Sequence, residues 1–330
     1  MVALCAAMAA ALSNRLRADS TPTEVYRQSL QDARWTGPII TAGANTLPPG
    51  HFLVEPYVFD VITQGRYDDR WKRHAGPGAH TYGSLTYLLY GLVDDVTVGL
   101  IPRVGYNTVG EGLNAAHVGL GDFMVQGQYR FARFREGSPI PTMSVVLAQT
   151  LPTGKYDRLG TRPSNGLGSG AYTTTLSLYS QYFLWMPNGR IVRARLNLSY
   201  SESATVDIEG VSVYGTGSGF RGHANPGATL LLNSAWEYSL TQRWVPALDV
   251  TYQHNASTAL RGFESTPAGG NSLPVNVHTD SGPGEVFTVA PAIEYNWSST
   301  MGVIAGAIFT PAGKNVGANT IPVVAVNMVF

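Results

Sequence analysis

Eight charged residues hold the chain's few positions with the means to act on a solute: Glu55, Arg103, Arg130, Arg193, Arg195, Glu237, Asp249 and Glu294. Each falls on the polar face of an alternating stretch, and Arg193 and Arg195 stand two apart, as same-side neighbours on a strand must. In a wet lumen such a set forms a ladder that orients a permeating solute, with bases on one wall and acids on the other. The alternative is that they pair across the lumen and brace it. An arginine turned to lipid at mid-depth would cost about 2–4 kcal/mol, so the same charges fix which face points inward.

Other chemistry finds little support. A metal site needs histidines at short fixed spacing with a carboxylate, and His74, His80, His117, His223, His254 and His278 lie apart in or beside long connections, as solvated loop residues. His254, Asn255 and Ser257 have the types of a barrel lipase, but a catalytic serine and histidine must meet on neighbouring positions. Three groups within four consecutive residues do not, so no catalytic residue, metal or cofactor is expected. The glycine-rich pieces Gly166 to Gly170 and Gly215 to Gly222 lack a strand-to-helix setting for phosphate and read as mobile loops.

The elements that must position the ladder are strands. Only 13% of the 330 residues are charged, against about 25% in a soluble domain, and formal net charge is zero, which gives nucleic acid no handle. No apolar run reaches the ~18 residues of a spanning helix. From residue 51 onward, segments of ten to fifteen residues alternate with period two. They predict strands at 51–63, 80–92, 96–107, 120–134, 142–151, 173–187, 191–201, 227–240, 243–254, 285–297, 300–310 and 320–330. Connections alternate long and short, the long ones including 64–79, 108–119, 152–172, 202–226, 255–284 and the moderate 311–319. That parity predicts an all-β, transmembrane up-and-down antiparallel barrel of about twelve strands, with short periplasmic turns and long extracellular loops. Pro56, Pro102, Pro246, Pro291 and Pro322 each call for a bulge or strand end, because proline donates no ladder bond.

Trp236, Trp244 and Trp297 sit near the short turns, where an aromatic girdle belongs, and Trp185 falls on the inward face. The stretch 320–330 sets Met328 and Phe330 on one face and resembles the signal read by the barrel-assembly machinery. At the other end, 1–19 reads as an atypical signal peptide, since Arg15 and Arg17 follow the apolar run of 2–12 instead of preceding it. Residues 20–50 read as a periplasmic extension or partial plug, and 51–330 as the barrel.

Val118-Gly119-Leu120-Gly121-Asp122, then Gln128-Tyr129-Arg130-Phe131, then Leu151-Pro152-Thr153-Gly154-Lys155-Tyr156 form a series of motifs. With the opening Leu47-Pro48-Pro49-Gly50-His51-Phe52, they resemble the outer-membrane family of the MetA pathway of phenol degradation, whose members are often labelled transporters. The resemblance implies a single-chain barrel in the bacterial outer membrane, passing small hydrophobic or aromatic solutes, with outer-membrane lipid around it and no catalytic residues to carry over. The expected function is therefore passive uptake of a small solute. The alternatives are a non-transporting surface barrel that binds through its loops and, last, a lipase-like enzyme.

Overall fold

The computed structural model describes residues 26–265 and 274–330; the expected signal peptide lies outside them. The alternating stretches form β1 (Phe52–Tyr67), β2 (Arg73–Val93), β3 (Val96–Ile101), β4 (Arg103–Val109), β5 (Gly119–Leu120), β6 (Phe123–Ala132), β7 (Thr142–Leu151), β8 (Thr173–Trp185) and β9 (Ile191–Ser203). The chain continues through β10 (Val206–Glu209), β11 (Phe220–Asn225), β12 (Thr229–Tyr238), β13 (Trp244–Asn255), β14 (Ala259–Glu264), β15 (Val275–Asp280), β16 (Gly284–Asn296), β17 (Met301–Lys314) and β18 (Gly317–Val329). Every pairing is antiparallel, and β1 contacts both β2 and β18, so the sheet closes on itself. Counting β3 with β4 and β5 with β6 as single interrupted spans gives twelve. Closure leaves no exposed strand edge in the membrane, where an unpaired backbone group costs several kcal/mol.

Burial is inverted relative to a soluble protein. The fully covered side chains include Glu237, Asp249, Glu294, Ser144 and Gln181, while Leu196, Leu198, Leu230, Leu232 and Leu248 are exposed. Alternation along each strand sends the polar set inward and the apolar set outward, and an apolar outside is what a bilayer solvates. The protein is an outer-membrane β-barrel.

Two expectations about connections change. Most of 64–79 and 311–319 is strand, because β1 with β2 and β17 with β18 run on as long hairpins. Within 202–226 and 255–284, four short strands form a separate sheet in the order β10-β11-β14-β15. Phe220, Ile208, Val206 and Leu260 bury a small core beneath it. The prolines depart from expectation too. Only Pro102 interrupts a strand, separating β3 from β4, and no register shift falls at Pro56, Pro246, Pro291 or Pro322. An antiparallel residue sends its N–H toward one neighbour only, so each proline forfeits a single ladder bond and the register survives.

Candidate functional site

The inward faces of β9, β12, β13 and β16 build one wall. Arg193 and Glu237 are register partners, Arg195 and Asp249 share the next inward rung through Ala235, and Glu294 pairs with Val245 on the rung to the other side. Arg193 donates both Nε (2.7 Å) and Nη2 to the Glu237 carboxylate, and Arg195 Nε lies 3.1 Å from Glu237 Oε2. Burial strengthens these contacts and makes an unpaired partner expensive. Among the described residues no arginine is in salt-bridge contact with Asp249 or Glu294, yet both are fully buried.

Their partners come from the segment before β1. Thr36 N donates to Glu294 (2.6 Å), Ile40 N and Thr41 N donate to Asp249 (3.3 and 2.9 Å), and Arg195 Nη1 donates to Thr41 O (2.7 Å). Asn197 holds Ala42 O, Gln128 reaches Gly43 O and Asn45 O, and Thr97 accepts from Leu47 N. The segment has no secondary structure of its own, so its backbone groups must find partners elsewhere. The inward side chains supply them. Gly91 and Gly302 let it lie against the wall: a Cβ at either would come within 2.0 Å of Pro48 O or 2.1 Å of Thr36 Oγ1.

The opposite wall is apolar. Ile39 packs on Tyr57, Ile304, Val323 and Ala325, with Phe59, Leu85, Tyr87 and Ile308 around them. Beside the segment, against β1, β2, β3, β6, β8 and β9, lies a cavity of about 320 Å³, lined by Trp35, Tyr57, Tyr87, Tyr179, Glu55 and Gln181 among others. Trp35 is itself fixed by the Arg193 guanidinium, 4.6 Å from its ring centroid.

The eight ladder residues thus divide. Arg193, Arg195, Glu237, Asp249 and Glu294 meet around the segment. Glu55 lies on the far wall and accepts from Asn327 Nδ2 at 3.1 Å. Arg103, opposite Leu85 on an inward position, is exposed above them. Arg130 closes the periplasmic end, donating to Asp95 at 2.7 Å. Hydrogen bonds from Arg130 and Arg133 hold the Asp95 carboxyl below its ordinary range. Arg193 and Arg195 therefore share one wall with Glu237, Asp249 and Glu294, while Glu55 stands across from them. The histidines differ from solvated loop residues at two places: His74 contacts Asp68 (2.8 Å) and His80 contacts Asp60 (2.9 Å). Asn255 accepts from Thr229 and Gln253, and Ser257 accepts from Gly282 N, so these side chains serve the loop.

Sequence reasoning missed Asp122, Gln128, Gln181, Tyr57 and Tyr87. Parity along the strands carried the signal for all but Asp122. Asp122 accepts from Gly154 N (2.9 Å), Ser169 N (2.7 Å) and Ser169 Oγ (2.8 Å), while Thr153 Oγ1 donates to Gly121 O. The two motifs ending at Asp122 and beginning at Leu151 are thereby one structure. They fold the loop 152–172 inward, where Asn107 Nδ2 binds Ser164 O and Gly166 O. Gly166 to Gly170 are accordingly held in place and not free. Gly215 to Gly222 are likewise engaged, Thr216 Oγ1 donating to Gly210 O and Phe220 opening β11.

Trp236, Trp244 and Trp297 point outward and are exposed, with Trp244 tilted against Tyr295 and Trp297 edge-on to it. Trp185 points inward and donates Nε1 to Gln28 O. Phe330 and Phe52 exchange backbone hydrogen bonds at the seam, and the Phe330 ring is 68% exposed on the outer face.

Among solved structures, an outer-membrane channel from Pseudomonas putida F1 superposes with a TM-score of 0.64 at 13% identity, covering 88% of this chain and all of that one. The translocator β domain of the Bordetella autotransporter BrkA (TM-score 0.46, 10% identity, 86% and 100% covered) and the Ralstonia pickettii toluene transporter TbuX (0.37, 10%, 86% and 90%) are more distant. No curated protein matches the sequence. A family model does match, over residues 41–320, and the closed barrel agrees with it. The chain belongs to the outer-membrane family described as "Putative MetA-pathway of phenol degradation".

Proposed function

We propose that the barrel is a channel for passive uptake of a small, apolar or aromatic solute, with residues 28–50 acting as a plug. The observation that carries this reading is the cavity beside the segment, lined by four aromatic rings. The names of the structural relatives agree with it: one is an outer-membrane channel and another a toluene transporter. Arg193, Arg195, Glu237, Asp249 and Glu294 then serve as the clamp that holds the plug, while Glu55 and Arg103 line the open part of the path. Trp236, Trp244 and Trp297 anchor the periplasmic interface, and Phe330 with Met328 serves the barrel-assembly machinery. Reconstitution in liposomes tests the channel: flux of an aromatic solute above protein-free vesicles is expected, and no pore and no flux would overturn it. Deleting Phe330 tests the assembly role through loss of the fast-migrating unboiled band.

A second reading, a surface barrel that binds through its loops, is favoured by the separate four-stranded sheet of β10, β11, β14 and β15. Removing that sheet should leave a channel conducting, whereas a binding protein would lose its partner.

A further inference from the structure

The cavity carries more information than its size. Glu55 is the one carboxylate among its lining residues, and its only side-chain partner among the described residues is Asn327, an amide that brings no charge. Among the described residues no arginine or lysine stands within salt-bridge distance of it. Directly beside it in register is Tyr87, and Tyr57 follows two positions along β1 with its ring edge-on to Tyr87, centroids 5.8 Å apart. Tyr179 and Trp35 line the same space.

The two arginines that also reach the cavity make their direct bonds elsewhere. Arg193 is forked onto Glu237 and covered by Trp35; Arg195 is committed to Glu237 and Thr41 O. Around them stand three carboxyl groups, Glu237, Asp249 and Glu294.

We infer that this cavity is a binding site for a small organic cation, an amine with an apolar or aromatic body, whose ammonium sits against Glu55 and the faces of Tyr57 and Tyr87. Aromatic faces attract cations through the ring quadrupole, and the attraction grows when both are withdrawn from water. An uncompensated carboxylate at the same place supplies the charge-assisted hydrogen bond. The volume suffices: an apolar cavity of roughly 150 Å³ already admits benzene. The inference deepens the channel reading and rests on it for the route by which the amine arrives.

Calorimetric titration of the purified protein in detergent tests it without reference to transport. The probes are benzylamine, benzyl alcohol and benzoate, which share a ring and differ in charge. Benzylamine should bind at least about tenfold more tightly than the other two, a difference of 1.4 kcal/mol. Glu55→Gln should abolish that preference, and Tyr87→Leu should weaken benzylamine about threefold to tenfold while Tyr87→Phe, which keeps the ring, retains it. The heat shift of each variant on a gel shows that its barrel is closed. Equal affinity for benzylamine and benzyl alcohol, preference for benzoate, binding of none of the three, or an unaffected Glu55→Gln variant would each overturn the cation site. Those results leave liposome flux untouched, whereas absent flux with intact amine binding would remove the channel and keep the site.

Discussion

The two walls of the lumen hold the same segment by opposite means. On β9, β12, β13 and β16, buried charges accept and donate hydrogen bonds to backbone groups of Thr36, Ile40 and Thr41. On β1, β17 and β18, Ile39 lies among Tyr57, Ile304, Val323 and Ala325 and forms no directed bond. The polar wall specifies position, since each hydrogen bond has one geometry. The apolar wall contributes attraction without register, because burial is non-directional. The first says where the segment rests, and the second holds it there without fixing its register.

The comparison breaks most sharply at Glu237, which serves two buried arginines. Glu237→Ala leaves both without their carboxylate and should cost about 3–5 kcal/mol, seen as a lowered temperature for loss of the compact gel band. Glu237→Gln, which keeps the shape and part of the bonding, should cost less. Next comes Asp249→Asn, which removes the charge from two hydrogen bonds to Ile40 N and Thr41 N. Charge-assisted bonds contribute about 1.5–3 kcal/mol each, so the segment should loosen and channel conductance in planar bilayers should rise, with the barrel's own thermal stability nearly unchanged. A conductance that stays fixed would mean the segment does not obstruct the path.

Ile304→Ala probes the other wall. It should cost about 2–5 kcal/mol, the range for truncating a buried isoleucine to alanine. Combined with Asp249→Asn its effect on conductance should be additive if the walls grip independently, and strongly non-additive if one sets up the other. The smallest effect lies outside both walls. Asp68, at the tip of the β1–β2 hairpin, accepts from His74, Lys72 N and Arg70 N, and these hydrogen bonds, that of His74 foremost, hold its carboxyl at about 2. A depressed carboxyl contributes above its unfolded value of 3.8 and loses that contribution as pH falls toward 2. Hydrogen exchange at the Lys72 amide should therefore accelerate relative to its intrinsic rate over that window, while the lumen amides of Thr36 and Thr41 need not follow.

The outer architecture was legible because lipid and lumen impose opposite chemistry on alternate residues. Leu196 and Leu198 against Arg195 and Asn197 already state which face is which. What the alternation hid is whatever depends on backbone groups. The path of residues 35–47 is set by N–H and C=O groups that every sequence has, so no side-chain pattern marks it. Asp122 is similar: its partners Gly154 N and Ser169 N come from a distant loop, and locally it reads as a turn residue. The sheet of β10, β11, β14 and β15 escaped notice because its strands, four to six residues long, lie in stretches rich in glycine and proline. At the prolines the propensity argument was sound for a strand but too strong for a closed barrel, where neighbours on both sides hold the register.

The placement of the tryptophans has an optical consequence. The chain holds six: Trp236, Trp244 and Trp297 face the bilayer, Trp71 lies at the outer hairpin, and Trp35 and Trp185 face the lumen. Brominated acyl chains should quench the first group and aqueous iodide the second. The remaining emission then belongs to two indoles, one on the segment itself and one bonded to Gln28 O, so it reports displacement of the segment in an unlabelled protein.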